Sequence, residues 1–341
     1  MKIRIISVSV IFFSLVSGQV DVKEFESKVG TTAASFLKIG VGPRALAMGE
    51  AFVAAADGPS AAFWNPAGLG RMTGTTISAS TTDWIMDLRL HSAVASTKLQ
   101  GPGVVAFSVN ALQMDEIEVT TLRSPDGDGT YASASDVMIG LSYARPLTDV
   151  FVVGVTGKWI YNNVANETAS ATAIDIGTLF SPGWRGLRIG MSLTNFGTKM
   201  RLDGRDLNAK HDVDPLLGLD EPADSRLRTR DWDLPTAFRL GMAINVVETS
   251  NLLWTATADA IHATDNVERA NFGSEITMGK VKLRVGGGVN YDQLRIGFGG
   301  GVTQKLGGRN ITIDYAAVTL SPFGLIPVSY THLTLPTILL V

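Results

Sequence analysis

Phe151-Val152-Val153-Gly154-Val155-Thr156-Gly157-Lys158-Trp159-Ile160-Tyr161 repeats every second residue. Phe151, Val153, Val155, Trp159 and Tyr161 fall on one face and Gly154, Thr156 and Lys158 on the other, the pattern of a pleated strand with one apolar surface. The rhythm returns along the chain. Leu187, Ile189, Met191 and Leu193 alternate with Arg188, Gly190, Ser192 and Thr194. Phe238, Leu240, Met242 and Ile244 alternate with Arg239, Gly241 and Ala243. Val281, Leu283, Val285 and Val289 do so with Lys282, Arg284, Gly286 and Gly288, and Leu294, Ile296 and Phe298 with Arg295, Gly297 and Gly299. Runs of this kind predict thirteen strands, near 74–82, 90–99, 103–113, 134–145, 150–161, 169–180, 186–197, 235–246, 251–263, 269–279, 281–290, 292–304 and 309–320. Typical lengths suit the ~9–11 residues of a tilted membrane strand. Turn chemistry such as Arg145-Pro146-Leu147-Thr148-Asp149 separates them.

Period two alone does not say which face meets water, because a soluble barrel with an apolar core alternates too. Composition and placement decide. Charged residues make up 18% of the 341, against about 25% in a soluble domain, too few to coat a large water-facing surface. The polar faces are mostly Gly, Ser, Thr and Ala with about one charge per strand, as a crowded lumen requires. Tyr143, Phe151, Trp159, Tyr161, Phe180, Trp184, Trp254 and Tyr291 gather near strand ends, as interfacial girdles do. The expected fold is therefore all-β, a transmembrane antiparallel β-barrel of the outer-membrane type, whose closure leaves no backbone group unpaired in lipid.

Both termini read differently from the middle. Lys2 and Arg4 precede an apolar run from Ile5 to Val16, followed by Ser17 and Gly18, the layout of a signal peptide over 1–18. Residues 19–73 form an N-terminal segment, and 74–327 the barrel. Val328-Ser329-Tyr330-Thr331-His332-Leu333-Thr334-Leu335-Pro336-Thr337 resembles the translation of a transposon-end sequencing adapter, so 328–341 is expected to be a non-native tail. Short connections follow the even-numbered strands, around 100–102, 145–149, 181–185, 247–250, 280 and 305–308, whereas 114–133 and 198–234 follow odd ones. Bacterial barrels keep short turns in the periplasm, which puts the N-terminus there. Single-chain barrels also have even strand numbers. Fourteen native strands are expected, the closing one lost where the adapter-like text begins.

Phe36-Leu37-Lys38-Ile39-Gly40-Val41-Gly42-Pro43-Arg44-Ala45-Leu46-Ala47-Met48-Gly49-Glu50-Ala51-Phe52-Val53-Ala54-Ala55-Ala56-Asp57, followed by Ala61-Ala62-Phe63-Trp64-Asn65-Pro66-Ala67-Gly68-Leu69, resembles the PorV/PorQ family, related to FadL-type outer-membrane transporters. Asp314-Tyr315-Ala316 in the last strand fits as well. The resemblance implies that this segment is a hatch folded into the periplasmic mouth before the first strand, with Arg44, Gly49, Asp57, Asn65, Pro66 and Gly68 as its motif. Read for local structure, 43–56 is a short helix opened by Pro43, and 65–68 a turn or second helix. Arg44, Asp57 and Asn65 are expected to tie hatch to wall.

The inward charges are Lys158, Asp175, Arg188, Arg239, Asp259, Glu275, Lys282, Arg284, Arg295 and Asp314. Mixed in sign and on neighbouring strands, they predict ion pairs that plug the lumen, with an ion-selective path as the other reading. The 198–234 loop carries nine acidic residues and an apolar knuckle at Leu216, Leu217 and Leu219. It is either a solvated loop or a surface that meets a protein partner.

Net charge is −3, which lacks the basic footprint of nucleic-acid binding. Without Cys there is no disulfide, thiolate metal site or Cys nucleophile. His91, His211, His262 and His332 share no catalytic or metal spacing, and Gly286–Gly288 and Gly299–Gly301 lie inside strands rather than in phosphate loops. Asp126-Gly127-Asp128-Gly129 reads as a polar turn, since it lacks the later bidentate Glu of a calcium loop. No enzyme and no cofactor are expected. Two functions remain. The PorV resemblance implies a role in secretion or surface attachment of exported proteins of type IX kind, with secreted cargo or secretion machinery as partners. The FadL resemblance implies passage of long-chain fatty acids or other hydrophobic compounds.

Overall fold

Thirteen strands stand where the alternation puts them: β1 Thr76–Asp83, β2 Arg89–Lys98, β3 Val104–Gln113, β4 Ala134–Pro146, β5 Phe151–Val164, β6 Glu167–Phe180, β7 Arg188–Gly197, β8 Ala237–Glu248, β9 Leu252–Ala263, β10 Arg269–Met278, β11 Val281–Val289, β12 Leu294–Leu306 and β13 Arg309–Val318. The computed structural model describes residues 29–341 apart from 102, 128, 212–222, 290–293, 307–308, 320–329 and 337–341. The expected signal peptide, Tyr291, Asp128 and the knuckle Leu216, Leu217 and Leu219 lie outside the described residues.

Each strand pairs antiparallel with the next, and β6 also pairs with β7, joining the two halves of the sheet. A fourteenth strand, β14 Tyr330–Pro336, lies between β1 and β13. It runs along β1 from Thr76↔Pro336 to Thr82↔Tyr330 but meets β13 only from Thr312↔Thr334 to Asp314↔His332. The strand order thus returns on itself as a fourteen-stranded antiparallel barrel, with a short seam at β13–β14. The closing place is taken by the stretch expected to be foreign, which adds a fourteenth strand to the thirteen among the described residues. An open edge on each side and a period-two run of Thr and Leu suffice for pairing, whatever the origin of the residues.

Apolar side chains face outward. Phe107, Leu141, Ile176, Phe272, Leu283, Val285, Phe298 and Ile313 are exposed, whereas Ser108, Ser142, Thr156, Ser192, Thr257 and Asn271 are buried. This reversal of the soluble pattern is what a lipid-facing wall around a packed lumen requires. No helix among the described residues is long and apolar enough to cross a membrane.

The N-terminal segment fills the lumen. It contains the short helices α1 Pro43–Ala47 and α2 Ala61–Trp64 and 3-10 turns at Ser35–Lys38 and Pro66–Arg71. The helix expected over 43–56 stops at Ala47 because Gly49 and Glu50 both take left-handed backbone, at φ 62° and 65°. There the amides of Gly49 and Glu50 turn back to the carbonyls of Leu46 and Ala45, a left-handed C-terminal cap.

The segment is not confined to the short-turn mouth either. Thr32 bridges Asp233 and hydrogen-bonds Asp265, at the end that bears the long connections. Gly70 lies against Val152 and Ala144, at the end that bears the short turns. The described segment therefore threads the whole barrel and enters β1 from the short-turn side.

Candidate functional site

Arg44 joins hatch to wall. It makes a two-pronged pair with Glu275 of β10, Nε to Oε2 and Nη2 to Oε1, both 2.9 Å, and its Nη1 donates to Asp57. Arg188 of β7 stands 4.0 Å from Asp57. Asn65 is fully buried: its Nδ2 donates to the carbonyls of Val53 and Thr178, at 2.9 and 3.0 Å, while its Oδ1 accepts from Ala67 N. Pro66 follows Asn65 at the start of the 3-10 turn. Gly49 and Gly68 are places of close approach. A Cβ on Gly49 would lie 2.2 Å from the Gly287 amide nitrogen, and one on Gly68 2.3 Å from the Ala56 carbonyl oxygen.

The lumen charges fall into three groups. Arg284, with no exposed side-chain surface, donates to Glu275 and Asp314 at 2.6 Å each, extending the Arg44 pair across three strands. Lys158 meets Asp175 at 2.5 Å and Asn195 Oδ1 at 2.8 Å. Arg295 meets Glu50 at 2.9 Å. Asp259 has no partner arginine within ion-pair distance among the described residues; it accepts the Phe52 and Val53 amides at 2.7 and 2.8 Å. Arg239 donates to Thr194 at 3.0 Å and lies over the Trp64 ring.

Four participants escaped the sequence reading. Glu50 is the only charge between Arg44 and Asp57, which was a usable signal, and it faces Arg295 and Arg269. Arg269 begins β10, where strand-end charges look solvated. Asn195 is hidden by a bulge: Thr194 and Asn195 together oppose Asp175, so both are buried although period two would separate them. Asp265 lies in the β9–β10 connection with its side chain 1% exposed, holding Lys38 Nζ and Thr32 Oγ1, each at 2.7 Å. Burial alone would raise its carboxyl, but those two hydrogen bonds and the Lys38 charge hold it below the ordinary carboxylate range.

Above the hatch, toward the long connections, a cavity of about 460 Å³ opens between the N-terminal thread and the wall. Phe36, Ile39, Trp84, Leu88 and Leu112 give it apolar surface; Lys38, Glu50, Asp136, Arg269 and Arg295, with Asn266 and Asn271, line its polar part. A smaller cavity of about 240 Å³ nearby is lined by Ala34, Val164, Met200, Leu202 and Trp232. A chamber that joins apolar surface to convergent polar groups is a common form of a small-molecule site. No metal-holding cluster of His, Asp and Glu occurs among the described residues.

No family model matches the chain, and no curated protein sequence does. Solved structures do. The toluene transporter TodX of Pseudomonas putida matches at a TM-score of 0.53 and 11% identity, over 87% of this chain and 96% of that one. The monoaromatic hydrocarbon channel CymD matches at 0.53 and 14%, over the same shares. At such identities the likeness is one of fold alone: the antiparallel barrel described above is shared with TodX and CymD.

Proposed function

We propose that the protein lies in the bacterial outer membrane, bounded by its lipid, and carries hydrophobic small molecules across it. One observation supports this most: a chamber of about 460 Å³, with apolar surface from Phe36, Ile39, Trp84, Leu88 and Leu112, sits above a hatch packed closely against the wall. The wall meets the hatch at Gly154, Gly177, Gly190, Gly273, Gly286 and Gly297, where an added Cβ would come within 3 Å of it. A wide porin is incompatible with that packing. A chamber faced by Trp84, Phe36 and Leu112 suits an apolar solute, and the arginines at its floor suit one with a polar or acidic end. TodX and CymD, described as a toluene transporter and a hydrocarbon channel, point the same way.

The secretion reading has no observation in its favour, because the loop knuckle it would use lies outside the described residues and neither TodX nor CymD is described as serving secretion. We also propose that the short turns face the periplasm, that 1–18 is removed as a signal peptide, and that 328–341 is foreign text at the closing strand. Sequencing the 3′ end of the gene from genomic DNA tests the last point, since finding these codons there defeats it.

The transport reading is tested by extracting the protein from its own membrane and analysing bound lipids and proteins together by mass spectrometry. A bound hydrocarbon or fatty acid, reduced in Leu112→Trp, which narrows the chamber, is the expected result. A stoichiometric secreted protein with no bound apolar solute would overturn it.

A further inference from the structure

On the opposite side of the hatch, toward the short turns, lies another cavity of about 180 Å³, between α1 and strands β11 and β13. Its wall includes Arg44, Ser60, Lys282, Arg284, Thr312 and Asp314. The carboxylates here are already committed. Glu275 holds Arg44 at 2.9 Å and Arg284 at 2.6 Å, and Asp314 holds Arg284 at 2.6 Å. Asp57 holds Arg44, with Arg188 a further 4.0 Å away. Lys282, half-buried and facing the same space, has no carboxylate within ion-pair distance among the described residues. Behind it, Arg284 Nη2 is buried without an acceptor.

An ammonium drawn partly out of water loses hydration that only an anion or strong acceptor replaces well. Four cations, Arg44, Arg188, Lys282 and Arg284, stand against three carboxylates, Asp57, Glu275 and Asp314, so the surplus is positive and located at Lys282. Ser60 heads α2 without capping it and lines the cavity, as does Thr312, whose hydroxyl shares a 3.0 Å hydrogen bond with that of Thr303 and keeps capacity for one more partner. We propose that this cavity is a binding site for a compact oxyanion, a carboxylate or phosphate group. Lys282 Nζ is the direct ligand, the Ser60 and Thr312 hydroxyls donate to the remaining oxygens, and the Arg44 and Arg284 guanidiniums supply charge from behind. A cation is disfavoured because the carboxylates it would need are already paired. The site does not depend on the transport reading: a barrel that moves no hydrocarbon holds the anion equally well.

The full-length protein in detergent micelles, its folding checked by heat-dependent gel mobility, is titrated against inorganic phosphate and followed by broadening of the ³¹P resonance. Saturable broadening is expected, weakened about tenfold or more by Lys282→Gln, the loss of one charge-assisted hydrogen bond. Lys282→Arg is expected to retain it, and Ser60→Ala to weaken it in a protein whose α2 gains its stability elsewhere. Acetate and decanoate then compete. Displacement by acetate as effective as by decanoate identifies a free oxyanion as the ligand, and stronger displacement by decanoate identifies the head group of an amphiphile. Either supports the site. Absence of saturable broadening, or affinity unchanged in both Lys282→Gln and Ser60→Ala, overturns it.

Discussion

Arg44 binds a carboxylate on its own segment and another on the far wall, so its loss should be felt by both. In Arg44→Ala, Glu275 keeps Arg284, but Asp57 is left with Arg188 at 4.0 Å. With Asp57 39% exposed and Arg44 21%, the loss costs about 1–3 kcal/mol, between the values for exposed and buried pairs. The expected result is a lower thermal midpoint in detergent, with the hatch more open to protease and the wall strands still folded. Asp265 allows a pH test. Its carboxyl is held below its ordinary value, so the tie to Lys38 and Thr32 is complete above about pH 4. It is lost as pH falls through the lower native value. A nitroxide spin label attached to a Cys at Ala33 should give an immobilised spectrum at neutral pH and a mobile one in strong acid. Asp265→Asn should be mobile at both, and an immobilised spectrum in that variant at neutral pH would show that the thread is held elsewhere. Arg44, Asp57 and Asn65 were legible because they stand in a recognisable motif. Arg269 and Asn195 were not, since periodicity assigns a residue to a face and says nothing of its partner across the lumen.

Among elements, strands and hatch differ in how much local sequence determines them. Each wall strand carries its own period-two signal, and the observed ends fall within three residues of the expected ones. The largest differences lie at the β5–β6 hairpin, where pairing continues to Val164↔Glu167 beyond the apolar alternation because ladder bonds need no lipid contact. The hatch has no comparable signal. Ala45 to Ala56 would suit a continuous helix, yet the chain leaves α1 at Ala47 to bring Met48 and Gly49 onto β11. Tertiary contact overrides helix propensity there. Gly286 is the wall's share of that contact: a Cβ on it would lie 2.1 Å from the Met48 carbonyl carbon and 2.5 Å from the Gly49 amide nitrogen. Backbone does not yield as a side-chain tip does. Gly286→Ala should therefore displace the hatch at a cost of at least about 1–3 kcal/mol. Gly157→Ala, with open space around it, should be neutral. Protease cleavage near residue 50 compares the two, and equal resistance would mean that hatch and wall are not packed as described.

For the molecule as a whole, closure matters more than any single contact. A barrel in lipid tolerates no free edge, because each unpaired amide or carbonyl there lacks both water and a partner. The meander and its long and short connections were legible from alternation, and the outward apolar face from the shortage of charge and the aromatic residues at strand ends. Closure followed from the even strand number, but the segment that achieves it was not legible, because pairing between the ends of a chain leaves no trace in either end alone. The β6–β7 junction is well supported, running from Ala173↔Gly197 to Phe180↔Ile189 around its bulge. The β13–β14 seam is confined to Thr312, Ile313 and Asp314. Deleting residues 330–341 should thus expose β1 along its length and β13 at those positions. The shortened chain is expected to lose heat-dependent gel mobility and to aggregate on refolding into lipid vesicles. What β14 supplies is backbone pairing, so an unrelated seven-residue strand of alternating Thr and Leu in its place should restore folding. Deletion without loss of the folded band would show that β1 and β13 close the ring by themselves. Failure of every replacement strand would show that β14 acts through its particular side chains rather than through its ladder.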